Sequence, residues 1–224
     1  MNVFDIIGPV MIGPSSSHTA GAVRIGNVAR NLLCEEPAQI EVLFSGSFAQ
    51  TYIGHGTDKA TVAGILGMKT DDERIPDSLN IANERNISVI FRTGEIEEAH
   101  PNTMRIILKG VTSKTVNICG SSIGGGNIII TEVDGMKIEF TGQYTTLIIV
   151  HHDVPGLIAC VTNLIAGSGV NIANMKDNRL YPNGDAKMLI ETDQEVSKNT
   201  IEAIYRIPSV HNMLVIKPVY DTVD

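Results

Sequence analysis

The sequence predicts an α+β protein in two parts, residues 1–143 and 144–224. Two observations carry that reading. The first part alternates helical stripes with strand-like runs. After the short linker Thr141–Gln143 the pattern restarts, and Tyr144 onward reads strand, helix, strand, strand, helix, strand. That order over about eighty residues is a ferredoxin-like βαββαβ unit.

In the first part, Ala22, Ile25, Ala29, Leu32 and Leu33 recur on one face of a helix over Thr19–Leu33. Gly21 and Gly26 lie between them, a choice that weakens a helix but lets another backbone come close. Gln39–Phe44 reads as a strand. The break Gly54-His55-Gly56 leads into a short helix that Thr57 is placed to cap. Pro76 opens the next helix. Two alternating runs follow, with Ile87, Val89 and Phe91 on one face and then Met104, Ile106 and Leu108. Asp134-Gly135 is the turn of a hairpin ending at Phe140.

In the second part, "YTTLIIVHHD" is a strand and Asp153–Gly156 a turn. "LIACVTNLIAGSG" is a helix stopped by its final glycines. "VNIANMKDNRL" and "AKMLIET" are strands joined by a turn over Pro182–Asp185. "SKNTIEAIYRI" is a helix with Ile201, Ile204 and Tyr205 on one face, and "HNMLVIKPV" is the last strand.

Composition narrows the function. The chain of 224 residues carries a net charge of −8, is 4% aromatic and contains no Trp. That composition supplies neither the basic patch nor the stacking platform of a nucleic-acid surface, so no nucleic-acid partner is expected. No apolar run approaches membrane-spanning length, and the start "MNVFDIIGPV" lacks the basic opening and long apolar core of a signal peptide. Cys34, Cys119 and Cys160 are widely spaced and odd in number. They read as reduced thiols in a cytoplasmic protein, without the spacing of a metal site held by this chain alone.

The chemistry concentrates in "GPSSSHTAGA". Pro14 fixes the backbone before a helix mouth, and Ser15, Ser16, Ser17, His18 and Thr19 then offer five polar side chains in succession. One serine is expected to cap the helix, and the first-turn amides with the helix dipole favour a carboxylate or phosphate. Capping needs only one hydroxyl, so the others are free for a ligand. A second cluster, "GHGTDK", places His55 between two glycines. A third, "SSIGGGN" over Ser121–Asn127, reads as a tight crossing, with an anion cradle of backbone amides as the weaker reading because it lacks the residues of a P-loop or dinucleotide fingerprint. Ser17 and His18 do not make a hydrolase pair, because adjacent side chains diverge and no nucleophile elbow is present. The run His151-His152-Asp153 is a poor metal site for a similar reason, since successive strand residues face opposite ways.

The second part, on "HHDVPGLIACV" and "AGSGVNIANM", resembles the ACT domain, a regulatory module of amino-acid metabolism. The resemblance implies self-association and an effector site using the positions of Asp153 and Asn171. Asp153 departs from the carboxamide frequent there, and its charge would repel a ligand carboxylate while attracting an ammonium. A structural or dimerising role without effector is the other reading.

Across the whole chain, "FDIIGPVMIGPSSSHTAGAVRIG", "GHGTDKA", "IPDSLNIANE", "HPNTMRI" and "SIGGGNI" resemble the small (beta) subunit of the iron–sulfur-dependent bacterial L-serine dehydratases. The resemblance implies an N-terminal domain similar to the allosteric substrate-binding domain of some phosphoglycerate dehydrogenases. It also implies conversion of L-serine to pyruvate and ammonia. By the same resemblance a [4Fe-4S] cluster, ligated by the cysteines of a separate alpha subunit, would serve as a Lewis acid toward the substrate hydroxyl. Ser16, Ser17 and Thr19 would then bind the substrate carboxylate, with Ser15 beside them. His18 would hydrogen-bond the substrate, while His55, Gly56 and Thr57 line the same site. Either histidine is eligible as the base. A non-catalytic amino-acid sensor is the rival reading, because both halves resemble regulatory modules.

Overall fold

The computed structural model describes residues 9–179 and 184–220, and the chain divides into two compact units, Met1–Thr141 and Gly142–Asp224. The leader reading of the first ten residues falls largely outside the described residues, as does the first half of the Pro182–Asp185 turn.

The first unit is built on a mixed sheet of strands β1 (Pro37–Phe44), β2 (Ser88–Thr93), β3 (Thr103–Gly110), β4 (Thr115–Gly124), β5 (Asn127–Val133) and β6 (Met136–Phe140). Their order is β2-β1-β3-β4-β5-β6. β1 and β2 are parallel and every other pair is antiparallel. A parallel pair needs a crossover. Here it runs through α2 (Gly46–Thr51), α3 (Thr57–Ile65), a 3₁₀ turn (Ile75–Asp77) and α4 (Ser78–Glu84). α1 (Ala20–Leu33) lies against β3, β4 and β5 on one side and against α3 on the other. That double contact explains why α1 buries Ala20 through Gly26 without interruption, on more than the single stripe its periodicity suggests.

The α1–α3 crossing depends on Gly26. A side chain there would run into the Thr61 carbonyl and the Ile65 amide, and one at Gly64 would strike the Val23 carbonyl. The close approach read from the sequence is therefore real. Met104, Ile106 and Leu108 of β3 are fully buried under α1, while Asp134 and Gly135 take the two positive-φ positions of the β5–β6 turn.

"SSIGGGN" proves to be a strand end and a hairpin turn. Ser121 and Ser122 belong to β4, and Gly125 and Gly126, with φ of 60° and 81°, turn the chain into β5. It is also a crossing point, because a side chain on Gly126 would meet Pro9, Ala20 and Arg24. The buried Arg24 Nη1 donates to the Gly126 carbonyl at 2.7 Å and pins this turn to α1.

The second unit follows the sequence reading closely: β7 (Thr145–His152), α5 (Leu157–Gly167), β8 (Ile172–Arg179), β9 (Asp185–Thr192), α6 (Lys198–Tyr205) and β10 (Val210–Ile216). The antiparallel sheet has the order β10-β7-β9-β8, the ferredoxin-like arrangement. Leu147, Ile149, Met188 and Ile190 of its inner face pack on Leu157, Val161 and Ile165 of α5 and on Ile204 of α6. Tyr205 departs from the expected face of α6 and is 55% exposed. Together the units make a mixed α+β protein. Among the described residues no helix is long and apolar enough to cross a membrane.

Candidate active-site residues at the mouth of helix α1

No serine caps α1. The N-cap position is Thr19, whose side chain makes no capping hydrogen bond. The helix mouth is closed by the main chain instead, with the amides of Thr19 and Gly21 donating to the carbonyls of Ser15 and Ser16 at 2.8 and 3.0 Å. The expected cap and two of the amides expected to hold an anion are thus replaced by backbone turns. The hydroxyls of Ser16 and Ser17 stay half-buried, and capping does not occupy them.

Ser15 and His18 form a local pair. Ser15 Oγ accepts from the His18 amide at 3.4 Å and lies 3.3 Å from His18 Nδ1. On the other side of the ring, Nε2 is 3.0 Å from Thr51 Oγ1 at the end of α2. Thr51 Oγ1 donates its own hydrogen to the Ser47 carbonyl at 2.8 Å, so toward His18 it is an acceptor. The neutral ring therefore carries its proton on Nε2, and Nδ1 presents a lone pair to the Ser15 hydroxyl. His18 is 9% exposed, and its ring meets those of Phe48 and His55 edge-on, with centroids 5.1 and 4.6 Å apart. Burial, and then the repulsion expected from a second imidazolium at His55, hold the His18 pKa below its ordinary value.

His55 itself is exposed at the α2–α3 turn. Gly56 is the N-cap of α3, with φ of 69°, so Thr57 is the first helical residue and not the cap that the sequence suggested. Thr57 Oγ1 is fully buried with no hydrogen-bond partner among the described residues, and the same is true of Thr19 Oγ1 and of Ser122 Oγ. Buried hydroxyls are rarely left so.

Sequence reasoning missed two participants, and it missed the burial of a carboxyl next to Thr57. Thr51 and Phe48 sit on α2, which at six residues is too short to show a period. Asp58, in the first turn of α3, reads in the sequence as an ordinary complement to the helix dipole. In the structure its carboxyl is buried, and desolvation raises its pKa.

The effector positions read in the second unit are not brought together within one chain. Asp153 follows β7, whereas Asn171 precedes β8 at the other end of the sheet. The register pairs His152 with Asp185 at one end and Thr145 with Thr192 at the other. Seven strand steps separate those ends, roughly 24 Å at about 3.4 Å per residue. Asn171 Nδ2 donates to Asp193 at 2.6 Å. Asp153 accepts from Arg179 at 3.1 Å, on the wall of a pocket of about 290 Å³ that also includes His151, Gly156, Ile158 and Asp177.

An iron–sulfur cluster does not fit this chain. Cys34 and Cys160 are exposed, one in each unit, and Cys119 is buried in β4 with its thiol pushed up by desolvation, the reverse of a ligating thiolate. The His/Cys/Asp/Glu cluster of metal-binding geometry found among the described residues contains no cysteine.

Comparison with known proteins agrees with the motif at the helix mouth. The family described as Serine dehydratase beta chain matches residues 2–84. The probable L-serine dehydratase beta chain of Bacillus subtilis is 44% identical, over 93% of this chain and 94% of that one. The L-serine dehydratase beta chain of Peptoniphilus asaccharolyticus is 37% identical, over 91% and 92%. D-3-phosphoglycerate dehydrogenase of Methanocaldococcus jannaschii is 30% identical over 87% of this chain and 37% of the longer enzyme. With identity of this degree running nearly end to end, the chain belongs to the L-serine dehydratase beta-chain family.

Proposed function

We propose that this chain contributes substrate-holding residues and a proton acceptor to an L-serine dehydratase whose alpha chain ligates the [4Fe-4S] cluster. The reaction is the deamination of L-serine to pyruvate and ammonia. It breaks the Cα–H and Cβ–O bonds, and the resulting enamine tautomerises and hydrolyses. The observation that carries the reading is the setting of His18: a buried imidazole whose pKa is lowered first by burial, with Nε2 against the Thr51 hydroxyl and Nδ1 against the Ser15 hydroxyl. A base held neutral near pH 7 is suited to removing an α-proton. Ser16, Ser17 and Thr19 hold the substrate carboxylate beside it. His55, Gly56 and Thr57 close the other side, and burial first, with His55 second, keeps His18 uncharged. Fixing the substrate this way supplies orientation, worth up to about 7–11 kcal/mol in well-aligned cases. The chain works in the cytoplasm, and the second unit, in the manner of an ACT domain, mediates self-association. The first unit acts as a substrate-binding domain, the counterpart of the segment it matches in D-3-phosphoglycerate dehydrogenase.

One observation favours a second reading, a non-catalytic amino-acid sensor. The pocket at Asp153 presents both a carboxylate and the Arg179 guanidinium, the two charges an amino acid would meet. Pyruvate formation from L-serine, measured anaerobically with reconstituted iron–sulfur, separates the two. This chain alone, an alpha chain of the family alone and their mixture are compared. Activity only in the mixture, lost with His18→Ala, supports the shared active site. Full activity in the alpha chain alone, altered by Asp153→Ala in the added chain, would leave a regulator.

A further inference from the structure

His152 is absent from the site just described, and so are the two residues gathered around it. The strand alternation that turns His151 inward, 1% exposed, turns its neighbour outward, with a side chain 45% exposed. The outward face brings His152 partners from other strands. Asp185 on β9 is its direct cross-strand neighbour. His211 comes from β10, on the far side of β7, and strands two apart are separated by about 9.5 Å. What closes that gap is a bulge. Val210 pairs with His151 and Asn212 with Val150, so His211 is the extra residue, and bulges re-aim side chains in this way. His211 Nε2 lies 3.6 Å from Asp185 Oδ1, and His152 Nδ1 lies 3.9 Å from the same oxygen. The three donor atoms all fall within 4.8 Å of one another.

We propose that His152, Asp185 and His211 form a binding site for a divalent first-row transition ion of the zinc class, with water completing the coordination. The donor set decides the class. Two imidazoles and one carboxylate suit zinc, cobalt, nickel or copper, whereas magnesium and calcium take oxygen ligands. The spacing agrees with it. A tetrahedral ion with bonds of about 2.0–2.1 Å sets its donors about 3.3 Å apart, so closure takes a small movement of exposed side chains. The backbone under the ligands is already tied. The His152 amide donates to the Ser209 carbonyl and the Asp153 amide to the Gly184 carbonyl, each at 2.8 Å. Those bonds fix the starts of β9 and β10 against the end of β7. A bound ion staples the same three strand ends and stiffens the turn that begins at Asp153, one wall of the pocket.

The test is Co²⁺ and Zn²⁺ titration of the full chain in a Cys34→Ser, Cys160→Ser background, which removes the two exposed thiols. The expected result is one ion per chain, with the visible absorption of low-coordinate Co²⁺ and displacement by Zn²⁺. His211→Ala and His152→Ala should each weaken binding by at least roughly a hundredfold, because even outer-shell changes cost 10–100-fold. Zinc should raise Tm in the parent and in neither variant. Both substitutions are on exposed side chains, and unchanged circular dichroism verifies the fold. Binding that is weaker than millimolar in the parent, or unchanged in either variant, overturns the proposal.

Discussion

Helices α1 and α6 both start after serines, and they use them differently. At α6 the hydroxyl of Ser197 accepts from the Thr200 amide at 3.2 Å, an ordinary N-cap. At α1 three consecutive serines are available and none caps the helix. Two serine carbonyls take that role, and His18 is tied sideways to Thr51, thirty-three residues away in sequence. One start serves its own helix. The other gathers polar groups where a helix has no need of them, and that is the pattern of a site.

The comparison can be broken by substitution. The largest effect is expected at His18. His18→Ala in the assembled enzyme should lower the turnover of L-serine by about 10²–10⁴-fold, the range for loss of a general base. A loss under tenfold would return α1 to the ordinary class. Next come the uncommitted hydroxyls. Ser16→Ala with Ser17→Ala should lower kcat/KM at least about tenfold, with Tm nearly unchanged, because neither hydroxyl stabilises the helix. Ser197→Ala should do the opposite, costing about 1 kcal/mol of stability with turnover intact. If all three variants lose stability alike and turnover stays level, the contrast between the two starts is void.

What the sequence made legible depended on whether a local pattern survived packing. Every element of the second unit could be read, because the short apolar runs of β7, β9 and β10, the glycines that stop α5 and the Asp-Val-Pro-Gly turn are all local signals. β4 escaped. Its middle is Gly120-Ser121-Ser122, and these small polar residues are buried, Ser121 by a 2.6 Å hydrogen bond to Thr103 and Ser122 against the bare Cα of Gly21. Tertiary packing fixed that strand, and no apolar period announces it. The α1 mouth was legible in its residue types and misread in its geometry. Which serine meets His18 depends on the turn over Ser15–Thr19, and what lies across from the ring depends on α2. The polar trio of the second unit was invisible for a similar reason, since His211 reaches Asp185 through a bulge that no run of residue types encodes.

The smallest effect is the dependence of stability on pH. His18 has a folded-state pKa below 6.5, lowered first by burial and then by His55. A group depressed in this way leaves the unfolded chain holding more protons just below pH 6.5. Its stabilisation is therefore complete above the unfolded value and lost as pH falls through the folded one. His18→Gln keeps an amide that can donate to Thr51 but does not titrate. The Tm advantage of the parent over this variant should thus be widest above about pH 7 and shrink steadily toward pH 5. Asp58 is displaced in the opposite sense, its carboxyl raised by burial, but it is common to both proteins and cancels in the difference. Thermal melts of the pair at closely spaced pH values measure it. A gap that stays constant would mean that folding does not shift His18, and one that widens on acidification would mean that His18 is charged in the folded chain. The imidazole at the mouth of α1 would then be an anion-holding group like the hydroxyls beside it, and the base would have to be sought elsewhere.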